Sequence, residues 1–331
     1  MRVGIVGCGL VGRKRASVLG DHQLVRCADV DLARAEALAA EHPGALPTSE
    51  PRMIFEDGSI GAVIVATPHH MLASSTLQAV QAGKHVLVEK PGGRSTAELR
   101  PVDAAAARCG VIVKVGFNHR FHPALQRAHE IFESGGISDL MYIRGRYGHG
   151  GRLGYEREWR ADPHLSGGGE LLDQGSHLID LSRWFAGEIA EVAGHVATFF
   201  WPMSVEDNAF ACLKTAGGVV AWLHASWTEW KNIFSFEIFG RTGKLQIDGL
   251  GGSYGTERLT HYRMSPEMGP PAMTTWEFPG EDRSWNHEFE NFVACTEGKT
   301  AGSSCASLAD ALSGLQIVEE LYRLSKRDYH A

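Results

Sequence analysis

The sequence predicts an α/β protein whose first part is a doubly wound parallel sheet and whose second part is an α+β domain with a large, mainly antiparallel open sheet. Short apolar strands and helical segments alternate through the first 120 residues, as they do in parallel sheets with helices on both faces. From residue 191 onward, strand-like runs follow one another through short glycine-containing turns. Such turns are typical of antiparallel hairpins.

The chain begins with a predicted strand, a tight turn and a helix. Residues 3–6 form the apolar strand, and the turn that follows is Gly7-Cys8-Gly9-Leu10-Val11-Gly12. Gly7 permits the turn, Gly9 lets backbone N–H groups approach a pyrophosphate, and Gly12 lets the helix lie against the strand. The helix N-terminus offers unpaired donors and a positive dipole end to the phosphates. The turn, with Leu10 and Val11, therefore predicts a dinucleotide site.

An acidic residue ends the second predicted strand. Asp29 follows residues 23–28, about where the carboxylate that binds the ribose hydroxyls is expected. Because a carboxylate repels a 2′-phosphate, the sequence predicts NAD in preference to NADP. Arg26 and Arg34 are close enough in sequence to weaken that preference.

Further strands and helices complete the first part. Helices are predicted over residues 32–42 and 71–82, and a third begins with Ser95 as N-cap and reaches Cys109. Strands are predicted over 61–66, 85–88 and 111–115. We therefore predict a NAD-binding Rossmann domain over residues 1–120 and an α+β domain for substrate binding and oligomerisation over 121–331.

The composition excludes several classes of protein. A hydrophobic fraction of 44% and a charged fraction of 21% are typical of globular proteins, and 331 residues suffice for about two domains. A net charge of -7 gives no reason to expect nucleic acid or an anionic membrane as partner. The six cysteines lack a Cys-x-x-Cys pair, so no disulfide or zinc framework is expected. The first strand follows Met1 directly and no apolar run has membrane-spanning length, so we expect a cytoplasmic protein.

The second part is dominated by predicted strands. They cover residues 141–147, 192–200, 209–215, 219–227, 234–240 and 244–248, with helices over 124–134, 284–296 and 308–326. All eight tryptophans follow residue 121. An aromatic-rich sheet face suits a sugar platform, ordinary packing or a subunit interface, and the last two are favoured. We expect a homodimer or homotetramer that associates through this sheet.

One polar stripe interrupts the apolar pattern near residue 170. In a helix that begins at about Glu170, Asp173, His177 and Asp180 lie at i, i+4 and i+7 on one face. Buried polar groups need partners. A structural network, an acid/base site and a metal site all supply them, so these three alternatives remain open at this point.

Five motifs occur in order along nearly the whole chain: Gly7-x-Gly9-x-x-Gly12, Asp29, Ala66-Thr67-Pro68, Gly83-Lys84-His85-Val86-Leu87-Val88-Glu89-Lys90-Pro91 and Asp173-x-Gly175-x-His177-x-x-Asp180. Together they resemble the glucose-fructose oxidoreductase and inositol dehydrogenase (Gfo/Idh/MocA) family. Glu-Lys-Pro followed by Asp-x-x-x-His is far more specific than the glycine turn alone.

The resemblance implies the roles of the site residues. Lys90 and His177 would be catalytic, with Asp173 beside them. The residues implied along the dinucleotide are Thr67, Pro68, Glu89, Asn118, Trp159 and Arg160. Such sequences often carry a histidine four residues after the proline of the Thr-Pro turn, where this chain has Leu72.

These residue types suit hydride transfer. When hydride leaves a carbinol carbon, the hydroxyl proton needs a base and the developing alkoxide needs a cation or donor. His177 suits the base at neutral pH, Asp173 suits a partner that fixes its tautomer, and Lys90 suits the donor to the reacting oxygen. A metal ion would be repelled by this lysine, so no metal is predicted.

The sequence therefore predicts a NAD-dependent oxidoreductase that acts on a secondary hydroxyl or ketone. The resemblance implies that this group belongs to a sugar, a cyclitol or a nucleotide sugar. Two alternatives stay open. A glycosidase that retains NAD for transient oxidation shares every motif, and a regulator that senses dinucleotides shares the fold but does not need Lys90, Asp173 and His177.

Overall fold

The computed structural model describes residues 1–267, 269–299, 304–327 and 329. The described chain falls into two units. One comprises Met1–Phe117, His164–Gly167 and Trp285–Leu312, and the other comprises Asn118–Pro163, Gly168–Ser284 and Ser313–Ala331.

Fourteen strands and ten helices are described. The strands are β1 (Arg2–Val6), β2 (Gln23–Ala28), β3 (Leu46–Thr48), β4 (Ala62–Val65), β5 (His85–Glu89), β6 (Val113–Gly116), β7 (Leu140–Gly148), β8 (Ile189–Ala197), β9 (Asn208–Thr215), β10 (Val220–Ser226), β11 (Ile233–Gly240), β12 (Gly243–Asp248), β13 (Glu257–Arg263) and β14 (Ala272–Phe278). The helices are α1 (Leu10–Ser17), α2 (Leu32–Ala40), α3 (Arg52–Phe55), α4 (His69–Gln81), α5 (Thr96–Cys109), α6 (Pro123–Glu133), α7 (Pro163–Ser166), α8 (Ser176–Ala186), α9 (Ser284–Thr296) and α10 (Leu308–Leu324).

The sheet of the first unit has six strands in the order β3-β2-β1-β4-β5-β6. All five neighbouring pairs are parallel. This strand order is that of the doubly wound dinucleotide-binding sheet. The predicted fold of the first part is confirmed, and β3 and α3, which were not predicted, complete it.

The core of the first unit lies on the apolar central strands. Ile5, Ile64 and Leu87 are fully buried there and form one cluster with Phe289 and Phe292 of α9. Strands that are buried on both faces need such continuous apolar runs. The predicted cap is also present, because Ser95 Oγ accepts from Glu98 N at 3.3 Å at the start of α5.

The sheet of the second unit has eight strands in the order β14-β13-β12-β11-β7-β10-β9-β8. Neighbours are antiparallel except β7 and β10, which run parallel. The predicted large, mainly antiparallel sheet is confirmed. The prediction lacked β13 and β14, which extend one edge.

The two faces of this sheet differ in burial. Gly145 on β7 faces α8, since a Cβ there would lie 3.2 Å from Leu178. Its neighbours Leu223 and Phe236 across the sheet are buried as well. On the opposite face Arg144 and Trp222 are exposed, Trp222 to 56%.

The described residues include no helix that is both long and apolar enough to cross a membrane.

Candidate active site

The glycine turn after β1 has the geometry that its sequence predicts. Gly7 has φ +95°, and a Cβ there would lie 2.5 Å from the carbonyl oxygen of Ala66. A Cβ on Gly12 would lie 1.8 Å from the carbonyl oxygen of Gly7, so only glycine lets α1 pack this closely. A Cβ on Gly9 would meet no atom within 4 Å in the described chain. The turn therefore leaves open space at Gly9, where α1 presents its unpaired N–H groups.

Asp29 lies directly after β2 and is largely buried. Its Oδ2 accepts from the backbone N–H of Cys8 at 2.7 Å, and its Oδ1 accepts from that of Asp31 at 3.0 Å. A carboxylate has about four acceptor positions, so it can accept further hydrogen bonds from ribose hydroxyls. Arg26 pairs with Asp57 at 3.7 Å and Arg34 with Asp31 at 3.3 Å. Arg26 and Arg34 therefore both have carboxylate partners.

Thr67 and Pro68 follow β4, and Pro68 precedes the first turn of α4. The Thr67 hydroxyl is buried and has no hydrogen-bond partner among the residues that the structure describes. Leu72, at the position where a histidine is frequent, is fully buried on α4. His69 instead binds the carbonyl oxygen of Ser166 through Nδ1 at 2.8 Å.

Glu89 and Lys90 stand at the end of β5. The buried guanidinium of Arg15 donates to Glu89 from Nε at 2.6 Å and to Glu288 from one terminal nitrogen at 2.5 Å. Burial alone would lower the pKa of Arg15, but the charges of the two glutamates outweigh it and raise that pKa. Glu89 is therefore held in the unit's interior, and Lys90, which is half-buried, is the next residue along the chain.

Because carboxyl ends of parallel strands share one edge of a sheet, the first unit gathers a single set of residues there. This set contains the predicted residues Gly7, Gly9, Leu10, Val11, Gly12, Asp29, Thr67, Pro68, Glu89 and Lys90. Open space at Gly9, a donor-rich helix end, a buried hydroxyl at Thr67 and a carboxylate at Asp29 fit a dinucleotide.

In the second unit, one buried carboxylate fixes the start of the segment that carries Asp173 and His177. Glu206 accepts from the backbone N–H groups of Gly169 and Leu171, both at 3.0 Å, and from the hydroxyl of Tyr322 at 2.9 Å. Burial raises the pKa of Glu206. A Cβ on Gly169 would lie 2.0 Å from the carbonyl oxygen of Glu206, so glycine is required for this approach.

The segment differs from the regular helix that the sequence predicts. Residues Leu171–Gly175 form a π-helical turn, and α8 begins only at Ser176. A π turn holds more residues than an α turn, so the predicted i, i+4, i+7 stripe does not run through one regular helix. Asp173 lies in this turn and pairs with Arg160 Nε at 3.1 Å.

Asp180 forms a buried ion pair with Arg120. Both of its oxygens accept from Arg120, at 2.8 and 2.6 Å, and both side chains are buried. Such a bidentate pair compensates the cost of burying each charge. No group of three potential metal-ligating side chains occurs among the described residues.

His177 lies in a cluster of rings at the start of α8. Its imidazole stacks on that of His119, with ring centroids 3.6 Å apart, and Tyr147 lies edge-on at 6.2 Å. Tyr147 in turn contacts the ring of Tyr254, whose hydroxyl accepts from Gln174 at 3.0 Å. Burial raises the pKa of Tyr254, so its phenol keeps its proton at neutral pH.

The other residues implied along the dinucleotide lie in the second unit. The amide of Asn118 donates to Ser284 Oγ at 2.8 Å and its oxygen lies 3.3 Å from His119 Nδ1. Trp159 and Arg160 form a 3-10 turn, with the guanidinium 4.6 Å from the indole centroid. Arg160 is therefore fixed by Asp173 and Trp159 together.

Sequence reasoning missed several residues that hold the site. Arg15 binds Glu89, Arg120 binds Asp180, and Glu206 binds the backbone just before Asp173; all three are buried, and their partners lie far along the chain.

Comparison with known proteins identifies the family. Residues 1–117 match the family model described as oxidoreductase family, NAD-binding Rossmann fold, and residues 125–246 match the GFO/IDH/MocA C-terminal domain. The levoglucosan dehydrogenase of Pseudarthrobacter phenanthrenivorans is 27% identical over 74% of this chain and 73% of its own. The trans-1,2-dihydrobenzene-1,2-diol dehydrogenase of Mus musculus is 32% identical over 69% of this chain and 68% of its own.

A solved structure shows the same fold. The levoglucosan dehydrogenase complex with NADH superimposes with a TM-score of 0.85 at 24% identity, covering 98% of each chain. Both domain models and the mouse relative support one assignment. The chain belongs to the Gfo/Idh/MocA family of oxidoreductases, with the NAD-binding Rossmann fold in its first part.

Proposed function

We propose that this protein is a NAD-dependent dehydrogenase or reductase that transfers hydride between nicotinamide and a secondary hydroxyl or ketone of a sugar, cyclitol or nucleotide sugar. One observation carries the proposal: the same chain has a dinucleotide-binding edge followed by Lys90 in its first unit and a buried, ring-stacked His177 in its second. The names of both relatives, a levoglucosan and a dihydrobenzenediol dehydrogenase, support a ring alcohol as substrate.

The residues have distinct roles in the proposed mechanism. Bound NAD supplies the hydride acceptor for oxidation and, once reduced, the donor for reduction. His177 accepts the hydroxyl proton on a ring nitrogen, and the ammonium of Lys90 donates a hydrogen bond to the developing alkoxide. Asp173, four residues before His177 along the chain and paired with Arg160, is assigned the role of stabilising the imidazolium that forms. The carboxylate of Asp29 and the open face at Gly9 hold the ribose and the pyrophosphate.

The cofactor proposal includes a preference. Asp29 presents a carboxylate where a 2′-phosphate would add negative charge, and Arg26 and Arg34 pair with other acids. These features support NAD over NADP. We also propose that Asn118, Trp159 and Arg160 line the dinucleotide site, as the resemblance implies.

We also propose an oligomeric state and a cellular location for the protein. The exposed face of the eight-stranded sheet carries Trp222 and Tyr142, which supports self-association through that face into a dimer or tetramer. No disulfide joins any of the six cysteines, all of which lie in the described part of the chain. We propose a cytoplasmic location, for which cysteines without disulfide partners are typical.

The test is a substrate panel. Purified protein and NAD are mixed with levoglucosan, D-glucose, myo-inositol or UDP-glucose, and NADH is followed at 340 nm. We expect NADH from at least one of these ring alcohols. Protein that binds NADH but oxidises none of them would contradict the proposed function. Release of the phenol from an aryl glycoside without accumulation of NADH would favour the glycosidase alternative.

A further inference from the structure

His119 shares its ring face with the proposed base. Its imidazole lies 3.6 Å from that of His177, measured between centroids, and the two ring planes differ by 27°. Both side chains are buried. His119 belongs to the 3-10 turn Asn118–Phe121, which precedes α6, whereas His177 lies in the first turn of α8. The contact therefore joins two separate elements of the second unit.

His119 is itself held on several sides. Its Nδ1 lies 3.3 Å from the amide oxygen of Asn118, and that amide donates to Ser284 Oγ at 2.8 Å. The rings of Tyr147 and Phe234 stand against it at 5.2 and 5.9 Å. A ring that is fixed in this way is a rigid surface for whatever stacks on it.

The proposed base needs such a surface. Rotation about the Cβ–Cγ bond of histidine is soft, because that torsion has broad wells rather than sharp staggered ones. Rotation of the ring moves the accepting nitrogen away from the hydroxyl proton. Small misplacements of a reacting group cost about a hundredfold in rate. A face-to-face neighbour restricts this rotation without competing for either ring nitrogen of His177.

We propose that His119 is a positioning residue, which holds the imidazole plane of His177 in the orientation for proton transfer. This inference rests on the proposed function, since it assumes that His177 is the base. The aromatic ring of His119, rather than its charge or its hydrogen bonds, is proposed to orient the imidazole of His177.

The test compares two substitutions at one position. His119→Ala removes the ring, whereas His119→Phe keeps an aromatic face without ring nitrogens. With the panel substrate of highest kcat/KM, we expect His119→Ala to lower kcat by about 10- to 100-fold while KM changes less than about threefold. We expect His119→Phe to keep kcat within about threefold of wild type. Equal kcat in wild type and His119→Ala, or equal loss in both variants, would overturn the inference.

A matched control separates positioning from stability. His129 stacks on Trp184 at 3.9 Å with planes 6° apart, in the same unit but without a role in the proposed chemistry. His129→Ala is expected to lower the melting temperature while leaving kcat unchanged. NADH binding, followed by fluorescence, is expected to be the same in all variants.

The two possible failures are distinguishable. A wild type that oxidises no member of the panel contradicts the proposed function, and the inference falls with it. An active wild type whose His119→Ala variant is equally active contradicts the inference alone.

Discussion

At the scale of single residues, the backbone of the first unit orients its acid. Asp29 accepts the backbone N–H groups of Cys8 and Asp31, which fixes the carboxylate plane at the end of β2. The same two bonds stabilise the turn. Any substitution there must therefore keep an acceptor if cofactor choice alone is to be measured.

Asp29→Asn removes the negative charge and keeps only one of the two acceptor oxygens, so one backbone bond is lost equally for both cofactors and the ratio of their Kd values measures cofactor choice. We expect the Kd for NAD to rise by about tenfold, since hydrogen bonds to charged groups contribute about 1.5–3 kcal/mol. The Kd for NADP is expected to rise less or to fall, because repulsion of the 2′-phosphate is relieved. Quenching of tryptophan fluorescence measures both constants. Tighter binding of NADP than of NAD by the wild type would contradict the assigned preference.

Lys90 and His177 carry the chemistry in the proposed mechanism. Lys90→Met and His177→Asn remove the donor and the base, and each is expected to lower kcat by about 10²- to 10⁴-fold. Melting temperature and NADH affinity are expected to stay near those of wild type for His177→Asn. Stopped-flow measurement of the first turnover checks that the chemical step is affected. Normal turnover in both variants would contradict the assignment.

Only some of these residues were predictable from the sequence. Glycines, Asp29 and Lys90 follow strands at motif spacing, so short-range pattern suffices. Arg120 and Asp180 are 60 positions apart, and the buried Arg15 reaches Glu288 across 273. Such pairs can be identified only in the folded chain, because the sequence around one member does not indicate where the other lies.

At the scale of elements, the glycine turn offers a matched pair of substitutions. A Cβ on Gly12 would overlap the carbonyl oxygen of Gly7, whereas a Cβ on Gly9 would meet no described atom. Gly12→Ala is therefore expected to lower the free energy of unfolding by about 1–3 kcal/mol. Gly9→Ala is expected to leave it within about 0.5 kcal/mol.

Both variants are expected to bind NAD at least about tenfold more weakly, but for different reasons. Gly12→Ala displaces α1, while Gly9→Ala places a methyl group where the pyrophosphate approaches the backbone. Urea denaturation gives the stability, and calorimetric titration gives the affinity. Unchanged NAD affinity in the Gly9→Ala variant would contradict the assignment of the pyrophosphate to this turn.

The π turn shows where element prediction fails. Its sequence, Leu171–Gly175, mixes good and poor helix formers, and the i→i+5 pattern leaves no mark in composition. Strands β13 and β14 were missed for another reason. In β13 two of the three buried residues, Glu257 and His261, are polar, and β14 has no buried residue at all. Edge strands with one open face carry weak periodic signals.

At the scale of the whole molecule, the parallel and the antiparallel sheet were both predictable, because the sequence pattern of each extends over many elements. The alternation of five predicted strands with four predicted helices specifies the parallel sheet, and repeated short turns specify the antiparallel one. The parallel pair β7–β10 was not predictable, since its strands are separated by the segment that carries His177. Hairpin signals describe only strands that are adjacent in sequence.

Self-association is testable on the exposed sheet face. Trp222 lies between Arg144 and Cys212 in the register of the sheet and is 56% exposed. We expect light scattering to give two or four times the monomer mass, and Trp222→Lys to lower it. Phe199→Lys, at an exposed position outside the strands, is the control and should leave the mass unchanged. A monomeric wild type would contradict the proposed assembly.

Glu206 connects three distant stretches of sequence through one carboxyl group. It receives the backbone of Gly169 and Leu171 and the phenol of Tyr322 in α10. Shortening the protein from its carboxyl end to a point before Tyr322 would leave that carboxyl group short of one donor. The entry to the π turn would then lose part of its anchor, so the end of the chain is a poor place for trimming in any engineered form.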